Sequence, residues 1–231
     1  MKVPGTVNSI RPNGDYHNQC HLIWITVTVY IQLYAQLRTG KLYHCDMALT
    51  SYTSPLRIDS VSPDHCSGII GMTLCPGKKE ANAISGDWDR DLDLDLKRIN
   101  DWGAVALVSL MEKEEMAWYG VAMLPEKAVQ SGLDYYHLPI VDMDIPDEYF
   151  EDCWQTTGTN LRNYLVSGKS IVIHCLGGLG RTGTIAARLL VELGTDPETA
   201  IRRIRTTRPG AIQSIMQETY VRCCKPVIIG D

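Results

Sequence analysis

Near the end of this 231-residue chain a cysteine, three glycines and an arginine fall within seven positions, in His174-Cys175-Leu176-Gly177-Gly178-Leu179-Gly180-Arg181-Thr182-Gly183. These residue types suit one chemistry. Glycines let a loop turn several backbone N–H groups inward, and such a nest at a helix N-terminus attracts an anion. Arg181 adds a planar fork for two anion oxygens. The same field favours the thiolate of Cys175 over the thiol. A thiolate inside an anion cradle can attack phosphorus and carry the phosphoryl group as a phosphocysteine. Leu176, Gly177, Gly178, Leu179, Gly180 and Arg181 are therefore the expected phosphate-binding residues. His174 is expected to hold the loop from behind rather than to act as a base. The Thr182 hydroxyl is expected to help the sulfur leave.

Such a loop needs a rigid strand before it and a helix after it. Ser170-Ile171-Val172-Ile173-His174 is a short β-branched run that reads as a buried strand. From Thr182 onward Ile185, Leu189, Leu190 and Leu193 recur at helical spacing, and Gly194 closes the pattern. Gly178 to Gly183 also spells GxGxxG, the dinucleotide fingerprint, with Glu198 twenty residues on. That fingerprint belongs in the first strand–helix unit of a nucleotide domain, whereas this one follows more than a hundred residues of folded-looking chain. A Walker A loop is excluded because no lysine follows the glycines.

The leaving oxygen of a phosphate ester needs a proton. Pro139 to Asp147 follows a predicted strand and offers Asp142, Asp144 and Asp147. Asp147 precedes Glu148 as a helix N-cap would. Asp142 and Asp144 lie two residues apart and can face the same way, so spacing alone leaves both open as the general acid.

The rest of the chain alternates short apolar runs with amphipathic ones. Strands are predicted over 69–74, 104–110 and 135–138. Helices are predicted around Leu92, Leu96 and Ile99, over 111–116 and 125–130, and over 149–166, 197–207 and 212–223. The alternation implies an α/β fold with a mainly parallel central sheet flanked by helices on both faces. The cysteine loop then lies at the carboxyl end of a strand, where such sheets bind ligands. Asp87, Asp89, Asp91, Asp93 and Asp95 lack the glycine and the final acid of a calcium loop, and fit the start of a helix instead. Arg202, Arg203, Arg205 and Arg208 form a basic cluster that reads as a solvated face near a helix end, with docking of an acidic substrate as the alternative.

The pattern HCxxGxxR followed by Ser or Thr resembles the signature of the cysteine-dependent protein phosphatases at every fixed position. The wider chain is similar to their dual-specificity branch, and within it to the cyclin-dependent kinase-associated phosphatase type. The matching residues are Thr53-Ser54-Pro55, Gly71 to Gly77, Leu138-Pro139-Ile140 with Asp142 and Pro146-Asp147, the loop itself, and Gly210-Ala211-Ile212-Gln213 with Gln217. The match spans about residues 53–225. The resemblance implies the phosphatase fold and hydrolysis of phosphotyrosine and/or phosphoserine/threonine. It implies Asp142 as the acid and Gln213 as a residue that orients the hydrolytic water. It implies a phosphoprotein substrate, with a cyclin-dependent kinase as partner on resemblance alone. An RNA 5′-triphosphatase of the same superfamily and a non-catalytic phosphoprotein-binding pseudophosphatase are the alternatives. Lipid-phosphatase relatives carry lysines at the variable loop positions; Leu176, Gly178 and Leu179 are uncharged, which disfavours a phosphoinositide.

Composition bounds these readings. Hydrophobic content of 45%, charged content of 21% and a net charge of −5 are those of an ordinary globular protein and argue against a general nucleic-acid binder. Eight cysteines without a CxxC pair suit neither a disulfide framework nor a zinc site, so no metal and no cofactor is expected. A thiolate nucleophile needs a reducing compartment, which favours the cytoplasm. Residues 51–231 form the predicted phosphatase domain. Residues 1–50 form an N-terminal extension that the resemblance does not reach. Its apolar stretch, Leu22 to Leu37, is too short for a spanning helix and alternates with period two from Ile25 to Tyr34 like a half-buried strand, so no membrane association is expected.

Overall fold

The computed structural model describes residues 48–227 apart from Asn82, Ile84 and Ser85. The N-terminal extension, with its predicted strand, lies outside the described residues up to Met47.

Five strands make one sheet. They are β1 (Asp59–Val61), β2 (Ile70–Thr73), β5 (Ala104–Ser109), β6 (Asp134–His137) and β7 (Ser170–His174), in the spatial order β1-β2-β7-β5-β6. Only β1 runs antiparallel, at one edge; β2, β7, β5 and β6 are parallel. A two-stranded ribbon of β3 (Lys79–Glu80) and β4 (Trp88–Asp89) stands apart. The mainly parallel sheet of the sequence reading is thus present, with an antiparallel edge strand and a ribbon added.

Both sheet faces are buried, as β-branched strands of a parallel sheet require. Ile171 and Ile173 of β7 point into one core with helices α4 (Glu148–Val166), α5 (Gly180–Glu192), α6 (Pro197–Thr207) and α7 (Ile215–Cys223). Val172, between them, points into the other core with α1 (Leu92–Asp101), α2 (Lys113–Trp118) and α3 (Leu124–Gln130). Helix α5 is buried along its whole length. The polar residues of its second half are satisfied inside the protein. Glu192 accepts from Trp154 Nε1 at 2.8 Å and Arg188 Nε at 2.7 Å and also pairs with Arg162.

The helix starts follow capping chemistry. Asp91, Asp147, Asp196 and Ser214 each accept from a backbone N–H three residues on. The N-cap expected of Asp147 is therefore present, on Phe150 N at 2.8 Å. The acidic repeat is largely the start of α1, but Asp95 is buried and takes Arg90 on both oxygens at 2.8 Å. Among the predicted boundaries that move, two bear on the site. Helix α5 begins at Gly180, not Thr182, so Arg181 and Thr182 sit in its first turn. Helix α7 begins at Ile215, not Ile212, because Ser214 and Gln217 close a capping box there.

Register brings the carboxyl ends of the parallel strands level: Thr73 pairs with His174, His174 with Ser109, and Ser109 with His137. The segments after all four strands therefore open on the same edge of the sheet, where a ligand site is expected. Among the described residues no helix is long and apolar enough to cross a membrane.

Candidate active site

Cys175 follows β7 directly and is only 3% exposed. What shapes the loop around it is where its carbonyls go. In a trans peptide the C=O and the next N–H point in opposite directions, so carbonyls turned outward send amides inward. Each outward carbonyl finds a donor, as buried backbone groups must. Leu110 N donates to His174 O at 3.0 Å, Cys75 N to Leu176 O at 3.1 Å, and Ile212 N to Leu179 O at 3.4 Å. Arg208 supplies the two between: its Nη2 donates to Gly177 O at 3.2 Å and its Nε to Gly178 O. Arg208 is itself buried and held by Asp59 of β1, Nη1 to Oδ2 at 2.7 Å. For Arg208 this corrects the reading of the four arginines as a solvated face; Arg202 and Arg205 are exposed as that reading expects. Arg205 likewise reaches the Ile212 carbonyl at 2.9 Å, while Arg203 pairs with Asp64.

The three glycines are not equivalent. Gly178 has φ +68, and a Cβ there would meet the Thr73 carbonyl oxygen at 2.3 Å, so only glycine fits. A Cβ on Gly180 would stand 2.8 Å from Gln213 Oε1, which places Gln213 against the first turn of α5. Gly177 borders open space.

Arg181 is the most heavily bonded side chain of the site. Glu115 of α2 takes it bidentately, Oε2 to Nη1 at 2.7 Å and Oε1 to Nη2 at 2.8 Å. Nη1 also donates to the Ile140 carbonyl at 3.1 Å, and Nη2 lies 2.9 Å from Asp142 Oδ1. Burial works against the charge of Arg181, but these carboxylates outweigh it and raise the guanidinium above its usual range. Glu115 is the residue that sequence reasoning missed; its place in a short helix carried no motif.

The three candidate acids separate. Asp142 faces Arg181, and its side chain is 67% exposed. Asp144 Oδ1 accepts from Ile145 N at 2.8 Å, and its carbonyl is held by Gln217 Nε2 at 3.1 Å. Asp147 caps α4. Only Asp142 among them reaches the cradle.

Three buried side-chain atoms have no partner among the described residues: Arg181 Nε, Thr182 Oγ1 and His174 Nε2. Two of them, the Arg181 Nε–H and the Thr182 hydroxyl, belong to the first turn of α5, so unspent donors collect where an anion would sit; His174 donates from Nδ1 to the Cys175 carbonyl at 3.4 Å, which leaves its Nε2 an acceptor. Burial, with the nearby Arg181 charge, pushes the His174 imidazole down to about 3. His174 is therefore neutral at physiological pH. Burial pushes the neighbouring Cys75 thiol up, keeping it protonated. Ile212, before Gln213, is buried with φ +56, a rare conformation for a β-branched residue and one found at functional sites.

A family profile described as a polymorphic toxin system, DSP-PTPase phosphatase, matches residues 89–195. Cyclin-dependent kinase inhibitor 3 of Rattus norvegicus is 31% identical over 173 residues, covering 73% of this chain and 78% of the relative. The Homo sapiens protein of that name is 32% identical over 176 residues, with the same shares. Protein tyrosine phosphatase type IVA 3 of Bos taurus is 42% identical over 59 residues, 26% of this chain and 34% of that one. The chain belongs to the dual-specificity family of cysteine-dependent protein phosphatases. Within it the likeness is to kinase-associated phosphatase. A crystal structure of that protein with its catalytic-site cysteine changed to serine superposes with a TM-score of 0.64 at 30% identity, over 73% of this chain and 93% of the other.

Proposed function

We propose that the protein hydrolyses phosphotyrosine and/or phosphoserine/threonine in proteins through a phosphocysteine on Cys175. The observation that carries this is the cradle: a nearly buried cysteine inside a loop whose outward carbonyls turn the amides inward, beside a fixed guanidinium. The Cys175 thiolate attacks phosphorus in line, forming the P–S bond while the ester P–O bond breaks. The loop from Leu176 to Gly180 and Arg181 hold the equatorial oxygens. Glu115 occupies one edge of Arg181, so phosphate takes Nε and the Nη2 proton that now faces Asp142.

Asp142, released from Arg181 and protonated, gives its proton to the departing oxygen. Water then attacks phosphorus, the P–S bond breaks, and the proton returns to the Asp142 carboxylate. Gln213, against the start of α5, orients that water. The Thr182 hydroxyl donates to the departing sulfur, and His174 holds the loop from behind as a neutral imidazole. Positioning and electrostatic stabilisation carry most of the rate. A cyclin-dependent kinase is among the phosphoproteins we assign as substrates, on the likeness to cyclin-dependent kinase inhibitor 3, and the thiolate points to the reducing cytoplasm.

Cys175→Ser should bring para-nitrophenyl phosphate turnover below about one part in a hundred while orthovanadate or phosphate still binds. Residual turnover above that overturns the nucleophile. A panel of phosphopeptides, with phosphorylated cyclin-dependent kinase among the substrates, tests the substrate class.

A further inference from the structure

A phosphate seated in the cradle dictates where the rest of its substrate lies. The ester oxygen faces Asp142, and the chain that bears it must leave over the lip of the pocket. Part of that lip is made by two segments that hold each other. The Ser214 hydroxyl donates to the Met143 carbonyl at 3.5 Å, and the Gln217 side-chain amide donates to the Asp144 carbonyl at 3.1 Å. Gln213, one residue before Ser214, lies against Gly180 of the loop, so this seam is continuous with the cradle.

The seam shows apolar side chains to solvent. Val141 and Met143 flank Asp142 and are 54% and 48% exposed; Ile215 and Met216 open α7 and are 84% and 52% exposed. Single exposed apolar side chains are ordinary, but four on two joined segments make a patch beside the pocket. Local structure does not ask for them. Ile215 stands at the first position of a helix, where acids and proline are favoured. Met143 has φ +63, where glycine or asparagine fits better than a long side chain. The carboxylates of this stretch turn to other partners, Asp142 to Arg181 and one oxygen of Asp144 to Ile145 N.

We propose that this lip is a docking surface for the substrate's own chain, and that it selects phosphoproteins with an apolar side chain beside the phosphorylated residue. The inference rests on the protein-phosphatase reading and names which phosphoproteins that site prefers.

The test uses the full-length protein and two phosphotyrosine peptides, one flanked by leucine and one by serine, with para-nitrophenyl phosphate as a substrate that has no flank. The native protein should hydrolyse the leucine peptide about tenfold better in kcat/KM. Ile215→Gln with Met216→Gln, neutral changes at exposed positions, should reduce that preference to about twofold or less and leave para-nitrophenyl phosphate unchanged. Equal rates on both peptides in the native protein overturn the proposal, as does an equal loss on para-nitrophenyl phosphate. Binding to phosphatidylcholine–phosphatidylserine vesicles that the double variant abolishes, with the peptide preference untouched, makes the lip a membrane contact and overturns it too. If neither peptide is hydrolysed while para-nitrophenyl phosphate is, the phosphoprotein reading itself falls and takes this proposal with it.

Discussion

Glu115 meets Arg181 edge-on, with its two oxygens 2.7 Å and 2.8 Å from the two terminal guanidinium nitrogens. Such a fork-to-fork pair fixes the plane of the guanidinium as well as its place. The loop arginine is therefore oriented in advance, with one edge spent on Glu115 and the other presented to the loop.

Glu115→Gln keeps the shape of that contact and removes its charge. It should lower kcat/KM for an aryl phosphate by about a hundredfold, the cost of a misplaced binding group. It should also destabilise the fold by about 3–5 kcal/mol, since Arg181 is left as a buried charge without its main counterion. Arg181→Lys should cost at least as much activity, because a point charge cannot serve Glu115 and phosphate together. Near-native kcat/KM in Glu115→Gln would show that the loop orients Arg181 unaided.

Asp142 and Asp144 can be told apart by leaving group. Asp142→Asn should slow hydrolysis of an alkyl phosphate by about 10²–10⁴-fold, with a smaller effect on para-nitrophenyl phosphate, whose leaving group needs little protonation. The fall in rate on the alkaline side should flatten. Asp144→Asn should leave both the leaving-group dependence and the pH profile as they are, because its oxygen serves the Ile145 amide. The reverse pattern would assign the acid to Asp144.

Arg208 is a positioning residue, bonded to loop carbonyls rather than to substrate. Arg208→Lys cannot reach both Gly177 and Gly178 from Asp59. It should weaken orthovanadate inhibition by about tenfold or more, as expected when a donor set loses its preorganisation. Asp59→Asn should give a smaller change of the same kind. Loss of thermal stability with unchanged vanadate affinity would make Arg208 a structural brace only.

His174 has its imidazole pushed down to about 3 by burial, against about 6.5 in an unfolded chain. Between these values the unfolded state binds the proton that the folded state refuses. Stability therefore rises with pH through this window and is lost as pH falls below about 6.5, by about 1.4 kcal/mol per unit from this one residue. Urea unfolding at pH 4.5, 5.5 and 6.5 should show a shallower dependence for His174→Asn than for the native protein. Equal slopes would place the imidazole in contact with water.

How much of this is readable in the sequence depends on how far apart the partners are. The cysteine loop is contiguous, and its glycines and arginine declare an anion cradle without help. The strand at Ser170–His174 and the helix at Pro197–Thr207 emerge with the predicted limits because apolar period and caps coincide there. Glu115 and Arg208 were invisible for the opposite reason. They meet the loop across 66 and 30 residues, and one glutamate in a six-residue helix or one arginine among four has no spacing to mark it. Strands β1, β3 and β4, two or three residues long, cannot show a period. Ile212 lengthened the apparent helix because its apolar side chain is buried against the loop and not on the helix that follows.

The donors that turn the loop come from Cys75, Leu110, Arg208 and Ile212, on three separate stretches of chain. It follows that the ten residues from His174 to Gly183 are not a portable module. Grafted onto another strand–helix junction, they would keep their spelling and lose their geometry, with carbonyls swinging back towards the place meant for phosphate. Engineering this chemistry into a new scaffold would mean transplanting the four outside donors before the cysteine.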